Sequence, residues 1–337
     1  MTACPSCLKS MKTSTFCKKC RTQLFDGQNV SPTLPFARPV YDQIRRASTS
    51  ERLSISGVQT KISLALVEGR LEMVNSGGRY ILKPIPRGDF ERLNVVPINE
   101  HLTMQIARQV FDIDVAANAL VHFADGEPAY LTRRFDVQPN GGKWLQEDFA
   151  QVAGRTEESH GRNYKYDFSY EEIGSLIRQH VAAYRVDLER FFTLVIFNYI
   201  VNNGDAHIKN FSLIQQEGDE HRLTPAYDLL NTRLHLPGEG RTALDLFQGD
   251  FTTPSFEANA FYARDDFVEF ARRLDLVPQR ALRILDRFVA SRDKVVEWIG
   301  RSSLPTDCQE LYRDHIDDRI RAIGYSYSAT KPSTTGQ

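Results

Sequence analysis

The chain has 337 residues, 41% hydrophobic and 25% charged, with a formal net charge of −1, which suits two lobes with a core each rather than many domains. Near-neutral charge gives no electrostatic case for whole-surface attraction to nucleic acid or to an anionic membrane. The densest apolar stretch, Phe191 to Val201, is interrupted by Thr193, Asn198 and Tyr199, and the N-terminus carries no signal-type segment, so the expectation is a soluble, cytoplasmic protein.

Four of the five cysteines fall in the first 20 residues. Cys4-x2-Cys7 and Cys17-x2-Cys20 form two knuckles, each able to aim two thiolates at one point. Together they predict a tetrahedral S4 site suited to structural Zn2+, with no open position for catalysis. So short a segment cannot fold by burial alone, and metal would supply its folding energy.

Residues 26–50, with Pro32, Pro35 and Pro39, read as a linker wrapping the next domain. Ile62 to Val67 and Leu71 to Val74 flank a turn at Glu68-Gly69, and a further turn leads into Tyr80 to Ile85, predicting an antiparallel meander. Helical spacing runs from about Asn99 to Phe111, and Val115 to Phe123 and Ala129 to Phe135 form another hairpin. Beyond about residue 150 the pattern is helical. Ser169-x-x-Glu172 is a capping box, Asp187 opens an apolar helix that ends at Asn202, and amphipathic helices are predicted at about 265–275, 278–299 and 305–323. The tail from Tyr325 reads as disordered.

The segment from Asn203 to Asn210 carries the strongest chemical signal. Phosphoryl transfer needs a carboxylate to orient and deprotonate an attacking hydroxyl, and oxygen ligands to hold Mg2+ on the phosphates. Asp205 and Asn210, five residues apart on one loop, can divide those tasks, with Asp228 as a second metal carboxylate at the end of a strand. Lys83 ends an apolar strand, where an unpaired cation is costly, and Glu100, placed at the start of the next helix, is its natural partner. Ahead of Lys83, the loop Ser54 to Lys61 offers amides and a lysine to phosphates, although its single Gly57 departs from the usual glycine-rich pattern.

Taken together, the stretches SISGVQTKISLAL, YILKP, NEH, LTRRFD, QEDFAQVAG, NNGDAHIKNFSL and LTPAYDLL resemble the HipA kinase family over about residues 53–230. The resemblance implies that Asp205 is the catalytic base, Asn210 and Asp228 the Mg2+ ligands, and Lys83 the phosphate lysine held by Glu100. It makes Ser56, Gly57, Val58, Gln59, Thr60 and Lys61 the phosphate loop, and Glu147, Asp148 and Phe149 the adenine-binding hinge. His207 and Lys209 would lie against the phosphates, Tyr227 would join the nucleotide site, and Ser54 and Ser56 would be autophosphorylation sites. Only about 50 residues precede the loop, which resembles the short HipT toxins, whose partners are a small HipS-like protein and a helix-turn-helix HipB-like antitoxin. Aminoacyl-tRNA synthetases are the implied substrate class. The cysteine module is not part of the HipA core.

The resulting expectation is an α+β, two-lobed, protein-kinase-like fold. A zinc module (1–25) precedes a mainly β lobe (26–148), a helical lobe (149–325) and a disordered tail (326–337). The alternatives are a kinase of a small molecule or lipid, sharing every ATP-site residue, and a non-enzymatic nucleotide-sensing module whose knuckle docks a partner.

Overall fold

The computed structural model describes residues 2–13, 15–40, 42–43, 61–138, 140–215 and 217–330. Packing divides the chain into two units: Met1–Lys143 with Leu234–Pro237 and Glu297–Gln309, and Trp144–Arg233 with Gly238–Val296 and Glu310–Gln337.

The first unit opens with strands β1 (Thr2–Ala3) and β2 (Ser10–Met11) and helix α1 (Lys18–Phe25). Strands β3 (Ile62–Val67), β4 (Arg70–Met73), β5 (Tyr80–Pro84), β6 (Asn118–His122) and β7 (Pro128–Arg133) form an antiparallel sheet in the order β4-β3-β5-β7-β6. The β3–β4 hairpin closes at Glu68 and Gly69, both left-handed (φ 48° and 76°), the twist that a two-residue turn between right-twisted strands requires. Helix α2 (Val96–Val110) has Pro97 in its first turn, where a missing N–H costs nothing.

The N-terminal segment covers what would be an exposed sheet edge. On β6, the Leu120 N–H donates to the Pro5 carbonyl (2.9 Å) and the His122 N–H to that of Pro32 (2.9 Å). Its apolar side chains join the sheet's own core: Phe25 stacks 5.0 Å from Phe16 and 5.7 Å from Tyr80, whose hydroxyl donates to the Leu24 carbonyl (2.8 Å). Arg133 on β7 donates to the Gln23 carbonyl and to both carboxylate oxygens of Asp26, placing a cation at the C-terminal end of α1. The cysteine segment therefore shares a core with the sheet.

In the second unit, β8 (Gln146–Asp148), β9 (Ser212–Gln215) and β10 (His221–Leu223) form a three-stranded antiparallel sheet in the order β10-β9-β8. Helices α3 (Phe149–Val152), α4 (Glu157–His160), α5 (Tyr170–His180) and α6 (Tyr184–Ile200) come next to it in the chain order around β8 and β9. They are followed by α7 (Pro254–Asn259), α8 (Arg264–Arg273), α9 (Pro278–Ala290), α10 (Arg292–Arg301), α11 (Thr306–Gly324) and α12 (Tyr327–Thr330). No helix among the described residues is long and apolar enough to cross a membrane.

Several sequence readings shift. Helix α2 begins at Val96, so Glu100 lies in its second turn rather than at its start. Helix α6 begins at Tyr184, and Asp187 does not cap it. The Asp187 carboxylate instead accepts from the Leu223 N–H (2.7 Å) and the Arg190 guanidinium (2.8 Å), tying β10 to the helix. The stretch read as one helix over 278–299 breaks at Ser291 into α9 and α10. Ser326 and Ser328, in the segment read as disordered, donate to the Asp265 carboxylate, and Ser328 lies within α12. The Ser169 capping box is present as read.

Candidate active site

The loop that follows α6 is held open by its neighbours rather than by its own propensity. Asn202 is left-handed (φ 56°), a conformation that asparagine tolerates better than most residues. Its side-chain oxygen accepts from Arg319 Nε (2.9 Å) and its amide donates to the His315 carbonyl (2.9 Å). Gly204 donates its N–H to Thr232 Oγ1 (2.8 Å), whose hydroxyl lies 3.0 Å from the Asn202 carbonyl. A Cβ on Gly204 would fall 2.5 Å from the Glu239 carboxyl carbon, so only glycine leaves Glu239 its place beside Thr232.

Asp205 follows, with its side chain 43% exposed. Tyr166 donates its hydroxyl to Asp205 Oδ1 (2.6 Å), and Lys165 Nζ and His207 Nε2 stand 4.0 and 3.8 Å from the same oxygen. With Oδ1 so engaged, the hydroxyl that a base must deprotonate would be taken by Oδ2. His207 is buried, and neither ring nitrogen has a hydrogen-bond partner. Burial pushes its imidazole down to about 4, with Asp205 opposing, so it is neutral at pH 7 and carries one donor and one acceptor.

A single 3-10 turn, Ile208–Asn210, carries the loop into β9, and Asn210 Oδ1 accepts the His207 N–H (3.1 Å). Lys209 Nζ lies 3.3 Å from the Tyr164 hydroxyl and 4.0 Å from Asp148 Oδ2. Asp228 is not at a strand end: β10 stops at Leu223, and Asp228 sits in the following loop in the left-handed conformation (φ 55°). Aspartate, like asparagine, tolerates that conformation better than most residues. The Tyr227 hydroxyl is tied to the Lys209 carbonyl (3.0 Å) and to Ser212 Oγ, so its polar end braces the loop.

At Glu147 to Phe149, the Phe149 N–H donates to the Phe211 carbonyl (3.0 Å) and the Asp148 N–H to Gln151 Oε1 (2.9 Å).

In the first unit, Lys83 Nζ and Glu100 Oε1 are 2.5 Å apart, with side chains 5% and 2% exposed. The ammonium also lies 5.4 Å from the centre of the Tyr130 ring. Of the loop Ser54 to Lys61, only exposed Lys61 is among the described residues; Ser54, Ser56, Gly57, Val58, Gln59 and Thr60 lie outside them. The thiols of Cys4, Cys7, Cys17 and Cys20 form one cluster whose sulfurs all lie within 4.8 Å of one another, able to hold a metal ion.

A family described as the HipA-like C-terminal domain matches residues 53–296. The chain belongs to that family. Among its relatives, a Haemophilus influenzae protein named "putative kinase" is 29% identical over 317 residues, covering 87% of this chain and 86% of the relative. The serine/threonine-protein kinase toxin HipA of Shewanella oneidensis is 26% identical over 238 residues, 63% of this chain but only 49% of the toxin. The fold matches the HipA of a Shewanella oneidensis HipA, HipB and operator DNA complex with a TM-score of 0.62 at 22% identity, covering 84% of this chain and 70% of that one. It also matches the Helicobacter pylori proinflammatory kinase CtkA, with a TM-score of 0.53 at 14% identity over 77% and 90% of the two chains. The fold is thus kinase-like.

Within this HipA-like loop, sequence reasoning missed Lys165, Tyr166, Thr232 and Glu239. The first two lie 40 and 39 residues before Asp205 in a segment without periodicity, and only folding brings them to its carboxylate. Burial pushes the Glu239 carboxyl up to about 7, Thr232 opposing and Asp205 reinforcing. If the Thr232 hydrogen goes to Asn202, the Glu239 contact needs the carboxyl's own proton, which agrees with that direction.

Proposed function

We propose that the chain is an ATP-dependent serine/threonine protein kinase of the HipA toxin type, acting with a HipB-like antitoxin and a small HipS-like protein. The observation that carries this reading is Asp205: a half-exposed carboxylate with one oxygen engaged by Tyr166, flanked by Lys165 and the unpartnered His207. A carboxylate so placed can accept the proton of a substrate serine while neighbouring donors orient phosphate oxygens.

The donor set fits Mg-ATP. Asn210 and Asp228 offer the amide and carboxylate oxygens that a hard cation prefers. His207 is a buried polar group in need of a partner, which a phosphate oxygen would supply. When bound, Mg-ATP supplies the transferable phosphoryl group and neutralises its developing charge. Asp205 would take the serine proton, Lys83 with Glu100 would hold the α- and β-phosphates, and Lys165 beside Asp205 and Lys209 beside Asp148 would lend positive charge. An aminoacyl-tRNA synthetase is the proposed target. Autophosphorylation at Ser54 or Ser56 would add nearly two negative charges next to the phosphate loop and lower activity. The four cysteines hold a structural Zn2+.

The test is transfer of labelled phosphate from Mg-ATP to proteins of a cell extract, wild type against Asp205→Asn, with the labelled residue and the Ser54–Ser56 peptide identified by mass spectrometry. Phosphoserine on a protein, absent with the variant, is expected. Label confined to lipid or small molecules, or undiminished in the variant, overturns the reading.

A further inference from the structure

The cysteine cluster and helix α2 are joined through one loop. Between Cys4 and Cys7, buried Ser6 donates its hydroxyl to the Asn118 carbonyl on β6 (2.7 Å), and its own carbonyl lies 2.8 Å from His101 Nε2 on α2. A carbonyl only accepts, so His101 carries its proton on Nε2. Gln105, one turn further along α2, donates to the Asn118 side chain (2.9 Å), closing a loop–strand–helix circuit.

His101 directly follows Glu100, the partner of Lys83. On the other side, Asn99 meets His235 Nε2 (2.9 Å), whose Nδ1 lies 2.9 Å from the Glu91 carbonyl. Successive residues of a helix point about 100° apart. Asn99, Glu100 and His101 therefore reach in three directions, and the ion pair is set by anchors on both sides of it.

The cluster itself has the dimensions of a metal centre. Four thiolates around Zn2+ at about 2.3 Å stand about 3.8 Å apart. Cys7 Sγ and Cys17 Sγ are separated by 3.8 Å, too far for a disulfide, and Cys4 Sγ accepts the Cys17 N–H (3.3 Å). In the backbone, the Cys4–Cys7 turn is closed by the Leu8 N–H to the Cys4 carbonyl (3.0 Å) and the Cys4 N–H to that of Lys9 (2.9 Å), links that a bound ion would reinforce through the thiolates.

We infer that zinc in this centre braces helix α2 through Ser6 and His101 and thereby positions Glu100 against Lys83. The metal is then a control on the geometry of the ion pair, and His101 a positioning residue. The structural half of the inference stands on the first unit alone; the consequence for ATP rests on the kinase reading.

The full-length protein is compared as purified, after chelation, after zinc is restored, and as His101→Leu and His101→Gln. Zinc content, amide exchange along residues 96–110 and ATP affinity are measured, with α9 as a remote control. His101→Leu should keep about one zinc yet raise α2 exchange by about three- to tenfold, the worth of one buried hydrogen bond, and weaken ATP by a similar factor. His101→Gln, which retains a donor, should recover part of both, and chelation should reproduce both reversibly while α9 stays unchanged. A chain that never takes up zinc overturns the inference, as does α2 exchange that ignores chelation, whether or not His101→Leu folds. Altered α2 exchange in a protein that binds no ATP would uphold the brace and sink the kinase reading instead.

Discussion

The molecule pairs lysines with carboxylates in two opposite ways. Lys83 and Glu100 are buried and in contact at 2.5 Å, with no freedom to serve anything that does not enter their environment. Lys165 and Asp205 are 4.0 Å apart around a carboxylate that is 43% exposed, and Tyr166, not a lysine, makes the short contact. A tight dry pair is strongly destabilised when one member is removed, because the other is left as a buried uncompensated charge. In the looser pair the lysine is buried, its side chain 10% exposed, but the longer separation and the 43% exposure of Asp205 leave the carboxylate accessible. The first arrangement is a structural reference point, and the second suits the base proposed for Asp205.

The widest separation should come from two single substitutions. Asp205→Asn, which keeps an acceptor for Tyr166, is expected to cut phosphotransfer by about 10²–10⁴-fold while lowering unfolding free energy by only about 1 kcal/mol. Glu100→Gln should do the reverse in kind, lowering stability by about 3 kcal/mol in urea titration, with weaker ATP binding as its functional cost. Equal stability losses in the two variants would erase the distinction between the pairs.

The pH dependence sharpens it. Burial holds His101, His207 and His315 down to about 4. Their folded pKa values are depressed, so their contribution is present above about 6.5 and is lost as pH falls towards about 4, at roughly 1–3 kcal/mol each. Glu239 has the opposite sign: raised to about 7, its contribution is present below about 4.5 and lost as pH rises through 7. Glu239→Gln, with an amide able to donate to Thr232 at every pH, should exceed wild type in stability by about 1 kcal/mol at pH 8 and match it near pH 5. A constant offset between the two melting curves at all pH values would show that Glu239 does not titrate in this range.

The smallest effect is expected at Tyr166→Phe, which removes one hydrogen bond to Asp205 and leaves the ring against His207. Turnover should fall by about three- to tenfold with stability nearly unchanged. Loss as deep as that of Asp205→Asn would instead make Tyr166 part of the chemistry.

Short-range information was enough for much of this. The hairpin at Glu68-Gly69, the Ser169 capping box, the thiol spacing and the order Lys83, Glu100, Asp205, Asn210, Asp228 are visible in the sequence because each depends on neighbours a few residues away, or on residue types that a known chemistry demands. The partnership of Lys83 with Glu100 was also legible, since a cation at the end of an apolar strand has to be compensated. What the tertiary structure alone decided are contacts across long chain separations with no periodic signature. Lys165 and Tyr166 reach Asp205 from about 40 residues away, Thr232 and Glu239 hold Gly204 from the far side, and Ser6 meets His101 across 95 residues. The left-handed backbone of Asp228 belongs here as well, because aspartate tolerates that conformation without requiring it and its residue type alone does not announce it. The same holds for the cysteine segment. Its spacing predicts a metal centre, but that its aromatic side chains enter the sheet's core and its loop reaches α2 follows from an uncovered strand edge that had to be satisfied.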